Sequence, residues 1–154
     1  MKKVIVILVA ALTISSVAAM AQPRAVGVRV GYGVEASYQH TLGSNFIEAD
    51  LGFNGGIAAR NATMFTAVYD FSIYEVNNFA FYAGPGAQLG MYTLKDAETE
   101  KSTLGLGLGL VGQVGVEYRF NIPINLSLDW RPSIHFFGLG FRGESLMLGF
   151  RYRF

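Results

Sequence analysis

The chain ends Leu146-Met147-Leu148-Gly149-Phe150-Arg151-Tyr152-Arg153-Phe154. Apolar residues alternate with polar or small ones at a period of two. Leu146, Leu148, Phe150, Tyr152 and Phe154 share one face, and Arg151 and Arg153 lie on the other. Successive side chains of an extended strand point to opposite sides, so this stretch predicts a β-strand with one apolar face.

Working back toward the N-terminus, the same period recurs. Val26, Val28 and Val30 oppose Gly27, Arg29 and Gly31, while Val34, Ala36 and Tyr38 oppose Glu35, Ser37 and Gln39. Ile47, Ala49, Leu51 and Phe53 oppose Glu48, Asp50, Gly52 and Asn54. Phe65, Ala67, Tyr69 and Phe71 oppose Thr66, Asp70 and Ser72. Phe81 to Met91 sets every second residue against Tyr82, Gly84, Gly86, Gln88 and Gly90. Leu104, Leu106, Leu108, Leu110, Val114, Val116 and Tyr118 oppose Gly105, Gly107, Gly109, Gln113, Glu117 and Arg119. Leu126, Leu128, Trp130, Ile134 and Phe136 oppose Ser127, Asp129, Arg131, Ser133 and His135.

No charged residue falls on the apolar face of these segments. An arginine or lysine facing lipid at the bilayer midplane costs about 2–4 kcal/mol, so this segregation points to an apolar face turned to lipid. A soluble lipocalin-like barrel would instead turn that face inward. The glycines of the polar face argue against it. Glycine weakens a strand and gives a solvated surface nothing, whereas inside a narrow barrel it leaves room for long side chains. Composition agrees. The chain is 51% hydrophobic with 19 glycines and a mean hydropathy of +0.34, yet its mature part has no apolar run of helix-spanning length.

The N-terminus reads as a signal peptide, residues 1–21. Lys2 and Lys3 precede an apolar core over 4–14, too short to span a bilayer, and Ala19-Met20-Ala21 is a small-x-small cleavage site. Cleavage leaves residues 22–154 as one small domain. Loss of two lysines changes the formal charge from +1 to −1, which gives no basis for nucleic-acid binding. The chain has no cysteine, hence no disulfide, thiol chemistry or lipid-anchoring cysteine.

Read plainly, there are seven alternating runs. A chain with both ends on one side of the membrane must cross an even number of times. Dividing the first run at Gly31-Tyr32-Gly33 gives eight crossings. Alternatively those glycines are spacers within one long strand, and the missing crossing lies within 137–144. With the division, connections at 42–45, 75–78 and 121–123 are short and fall on the periplasmic side. Those at 55–61, 93–102 and 137–144 are longer and fall outside. The expected fold is therefore all-β, an eight-stranded antiparallel up-and-down transmembrane β-barrel.

The aromatic-ended terminal strand resembles that of bacterial outer-membrane barrels, where it serves as the assembly signal. On that resemblance Phe150, Tyr152 and Phe154 carry the signal. The whole mature chain resembles small outer-membrane proteins of the OmpA/OmpX size class. Tyr82-Ala83-Gly84-Pro85-Gly86, Gly115-Val116-Glu117-Tyr118-Arg119-Phe120, Leu128-Asp129-Trp130-Arg131-Pro132 and Arg151-Tyr152-Arg153-Phe154 are similar to uncharacterised Bacteroidetes-type outer-membrane barrels. The resemblance implies a bacterial outer-membrane location in a Gram-negative cell, with outer-membrane lipids and the barrel assembly machinery as partners. It implies no particular biochemistry, because this barrel class hosts pores, adhesins, enzymes and anchors. The expectation is a monomer without cofactor or nucleic-acid partner.

Parity places Arg29, Glu35, Glu48, Asp50, Asp70, Glu117, Asp129, Arg131 and Arg151 on the inner face, together with Arg119 and Arg153. Eight strands enclose only enough space for their own side chains, and unpaired charges there would be costly. These residues are thus expected to form an ion-pair network plugging the lumen, with Arg131 at its centre, paired to carboxylates on neighbouring strands. The alternative is a narrow polar pore. A lipid A-modifying enzyme is the distant alternative, since Ser133, His135 and Glu144 lie near the outer rim. The order and spacing differ from the known deacylases, and parity turns Ser133 and His135 away from lipid. His40 is expected in a solvated periplasmic turn. No metal-ligand spacing is present. Leu104–Leu110 lacks the following Lys-Ser/Thr of a phosphate-binding loop. Residues 95–101 read as a solvated hairpin tip, and the outward aromatics as two interfacial girdles.

Overall fold

The computed structural model describes residues 23–31, 33–53, 62–95, 102–136, 140–143 and 145–154. Residues 1–22, which include the expected signal peptide, and Glu144 lie outside the described residues, as do Tyr32 and most of the three longer connections.

Among the described residues ten strand segments follow one another: β1 (Arg24–Gly31), β2 (Val34–Leu42), β3 (Asn45–Phe53), β4 (Ala62–Val76), β5 (Phe79–Lys95), β6 (Ser102–Arg119), β7 (Ile124–Trp130), β8 (Ser133–His135), β9 (Gly140–Arg142) and β10 (Leu146–Arg153). All pairings are antiparallel. The sheet runs β5-β4-β3-β2-β1-β10-β7-β6, and β6 pairs back onto β5, so it closes on itself. Closure removes both edges, the condition for a sheet to lie in lipid without unpaired backbone groups.

Ten segments make eight crossings. β7 and β8 are one strand: Val114 pairs with Trp130 and Val111 with Ser133, in unbroken register along β6. The interruption is at Pro132, which has no N–H to donate. Its carbonyl still accepts from Gly112 N–H at 2.9 Å, and Arg131 N–H reaches Ser145 O at 2.9 Å. β9 and β10 are likewise one strand with one extra residue. Three steps along the partner, from Trp130 to Ser133, take four here, from Leu146 to Arg142. Such a bulge frees backbone acceptors. Trp130 Nε1 donates to one of them, Gly143 O, at 2.6 Å. The eight-stranded antiparallel barrel is thus the fold.

The first run does divide: β1 and β2 form a hairpin pairing Val30 with Val34. Three boundaries differ from the sequence reading. β5 and β6 stay paired out to Lys95 and Ser102, so the 93–102 connection is shorter than expected. Glu75 and Val76 belong to β4, and the turn is Asn77-Asn78, with Asn77 at φ 53°. Gly140–Arg142 is strand rather than loop. His40 is also in a strand. Pairing of β2 with β3 continues through Leu42 and Asn45, and the turn starts only at Gly43, φ 65°; His40 is half-buried, its ring 6.4 Å from that of Tyr38. In β4 an extra residue, Ile73, lies between the Ser72–Tyr82 and Tyr74–Phe81 pairs, and Ile73 and Tyr74 are both exposed.

The outside is apolar. Val26, Leu51, Phe65, Leu89, Leu108, Leu128, Ile134 and Phe150 are all exposed on it. Aromatic contacts concentrate at the end of the barrel holding the short turns: Tyr69–Phe71, Tyr74–Phe81, Phe79–Tyr118 and Tyr118–Phe120, with centroids 4.7–6.3 Å apart. The buried side chains are largely polar and lie on the inner face.

Candidate functional site

The interior is organised around three arginines from the two sides of the chain closure. Arg29 (β1) and Arg151 (β10) are fully buried, and Arg131, at the β7–β8 break, is 4% exposed. Strand alternation alone aims them inward, since Val28 and Val30, Trp130, and Phe150 and Tyr152 face out.

Glu48 on β3 is the common acceptor. Its Oε2 accepts from Arg151 Nη2 at 2.7 Å and Gln39 Nε2 at 2.8 Å; its Oε1 accepts from Arg131 Nη2 at 2.7 Å and Gln113 Nε2 at 3.3 Å. Arg131 Nη2 also reaches Asp50 Oδ2 at 2.6 Å, and its Nε donates to Gln113 Oε1 at 2.6 Å. Arg29 Nη1 donates to Glu35 at 2.6 Å and Asp50 at 2.9 Å, while its Nη2 donates to Asp129. Arg151 is further held by Ser37 Oγ and Ser127 Oγ, at 2.9 and 2.8 Å. Charge-assisted bonds of this kind are among the stronger ones, and inside the barrel water does not screen them.

The partners of Arg131 are not on neighbouring strands, as the sequence reading had it. β7 adjoins β6 and β10, whereas Glu35, Glu48 and Asp50 lie on β2 and β3, on the far wall. Strand tilt and the long guanidinium arms bring opposite walls together. Asp129, two residues from Arg131, pairs instead with Arg29.

The remaining expected residues sit at the margins. Asp70 accepts from Gln113 at 3.1 Å. Glu117 is removed from the cluster, nearer the short-turn end, and accepts from Arg119 Nε at 3.1 Å. Arg119 and Arg153 lie at that mouth and are partly exposed. Phe150, Tyr152 and Phe154 point outward and are exposed. Ser133 and His135 are buried on the lumen face, where His135 Nε2 lies 2.9 Å from Gln88 Oε1.

Sequence reasoning passed over Gln113, Gln39, Ser37 and Ser127, uncharged residues on the same parity as the charged ones. It also passed over Phe46, Met64 and Met147, apolar residues on the inner parity that are buried. The glycines of the polar face have a more local role than space across the lumen. A Cβ on Gly105 would lie 2.5 Å from the ring of Tyr92, its β5 pairing partner, and one on Gly115 would lie 2.5 Å from that of Tyr82. Each tyrosine ring occupies the space beside a glycine on the adjacent strand.

An apolar belt outside, a closed sheet and a packed charged interior define a small eight-stranded membrane barrel. The same fold occurs in the crystal structure of Neisserial surface protein A (NspA), with a TM-score of 0.61 over 86% of this chain and 94% of that one, at 14% sequence identity. No family model matches the chain, and no curated protein matches it in sequence. Among the described residues no group of His, Cys, Asp or Glu is arranged to hold a metal ion.

Proposed function

We propose that this chain is a non-enzymatic integral protein of the outer membrane of a Gram-negative bacterium, with a lumen closed by its own side chains and a structural or surface-interaction role. The observation that carries the reading is the central network, in which three buried guanidiniums reach carboxylates two to four strands away around the barrel. A path for solute would require breaking it, and a buried charge left without its partner costs about 3–5 kcal/mol. Outer-membrane location is supported by the apolar belt and by the likeness to a Neisserial surface protein. Residues 1–21 are read as a cleaved signal peptide. Phe150, Tyr152 and Phe154 are read as the strand end that the assembly machinery engages, and outer-membrane lipids as the medium of the exposed apolar face. The protein acts as a monomer on this reading.

The test is planar-bilayer conductance of refolded residues 22–154, with folding checked by a heat-modifiable gel shift. A folded, electrically silent barrel is the expected result. Reproducible discrete openings would replace this reading with that of a narrow pore. Such a pore would prefer cations, because the central cluster and the adjoining Asp70 set Glu35, Glu48, Asp50, Asp70 and Asp129 against only Arg29, Arg131 and Arg151.

A further inference from the structure

The barrel interior is not filled to both ends. At the mouth where the short turns meet, a cavity of about 300 Å³ opens, lined among others by Arg24, Gln39, Glu117, Asn125 and Arg153. Its depth ends on the central network, since Gln39 donates onward to Glu48. It is a cup at the lower end of the size range of small-molecule sites.

The polar atoms of this cup are incompletely partnered, in both senses. Arg24 Nε and Arg153 Nε are shielded donors without an acceptor, although Arg153 Nη2 donates to the carbonyls of Phe120 and Ile122 at 2.8 and 3.0 Å. Glu117 Oε2 and Asn125 Oδ1 are shielded acceptors without a donor, on side chains of residues 4% and 3% exposed. Arg119 does not supply them: its Nε and Nη1 are used on Glu117 Oε1 and Glu75 Oε1, at 3.1 and 3.0 Å. Four of the eight buried side-chain atoms left without partners among the described residues therefore belong to residues that line one cavity. Leaving a buried polar group unpaired costs about 1–3 kcal/mol, so such a concentration is informative.

We infer that this cup binds a free α-amino acid as its zwitterion, the carboxylate on Arg24 and Arg153 and the ammonium on Glu117 and Asn125. A simple anion would leave the carboxylate and amide oxygens unpaired, and a simple cation would leave the two arginines so. A small zwitterion satisfies both sets within the available volume.

The experiment is NMR titration of the refolded protein in detergent with glycine, acetate and methylammonium, following the backbone amides of Arg24, Asn125 and Arg153. Glycine should give saturable shifts at concentrations where the other two give none. Glu117→Gln and Arg24→Gln should each weaken glycine binding by about tenfold, the loss of one bond to a charged group. Both are to be confirmed folded by gel shift; if Glu117→Gln fails that check, Asn125→Leu takes its place, with the same loss expected. Glycine binding no better than acetate or methylammonium overturns the inference. So does unchanged glycine affinity in the folded variants. Conductance does not enter these readouts, so they are independent of whether the lumen is closed.

Discussion

Glu48→Gln is the sharpest probe of the interior. The substitution keeps shape and volume but removes the charge that three arginines approach: Arg151 and Arg131 at 2.7 Å each and Arg29 at 3.5 Å. It also turns one oxygen into an NH₂ donor facing donors that already point at it: Arg151 with Gln39 on one side, or Arg131 with Gln113 on the other. Either orientation leaves a buried guanidinium short of an acceptor, a loss of about 3–5 kcal/mol. With a urea slope of about 2 kcal/mol/M, the unfolding midpoint in lipid vesicles should fall by roughly 2 M. Arg151→Met should cost a similar amount alone. Combined, the two should cost less than their sum by about 0.5–3 kcal/mol, because each single variant strands the charge left by the other. A Glu48→Gln midpoint within experimental error of the parent would refute the account. Strict additivity in the double variant would refute the direct Glu48–Arg151 coupling.

Three further outcomes are expected. Gly115→Ala puts a Cβ 2.5 Å from the Tyr82 ring and 2.7 Å from Asp129 Cβ, so it should destabilise the barrel by about 1–3 kcal/mol in the same urea titration. Leu128→Arg places a charge on the exposed apolar face; reversible folding into vesicles should show a loss of about 2–4 kcal/mol if that face meets the bilayer midplane, and no loss would show that it does not. Asn77→Val forces a β-branched residue to φ 53°, and thermal gel-shift midpoints should drop in line with a cost of about 1–2 kcal/mol.

Much of the fold was legible because lipid imposes a period of two with few exceptions. Each outward Leu, Val or Phe of β6 and β10 could be assigned from its neighbours alone. Connection lengths and parity then favoured the β1–β2 hairpin over one long first strand. The irregular places were not legible. The Pro132 interruption keeps its register, the register gains a residue between β9 and β10, and Ile73 disturbs β4; each is decided by hydrogen bonding to a neighbouring strand that the local sequence does not contain. The inner face shows the same division. Inward parity of Arg131 could be read, but its partners could not, because strand tilt and stagger, not sequence proximity, set which walls meet. Gln113 went unnoticed because a neutral amide gives no charge signal, although it bonds Glu48, Asp70 and Arg131 together.

The way the network spans the chain bears on the order of assembly. Glu48 and Arg151 are separated by 103 positions, and Arg29 and Asp129 by 100. Contacts of such long range form late. Until they form, the cluster residues on β1 to β4 are Arg29 against Glu35, Glu48, Asp50 and Asp70, an acidic set, while Arg131 and Arg151 outweigh Asp129 among the cluster residues that come later in the chain. A half-built sheet therefore presents uncompensated carboxylates that favour water over lipid. The two halves attract one another, and only the meeting of β10 with β1 joins those charges in one enclosed cluster. Burial in the membrane is in this way made contingent on the last strand arriving.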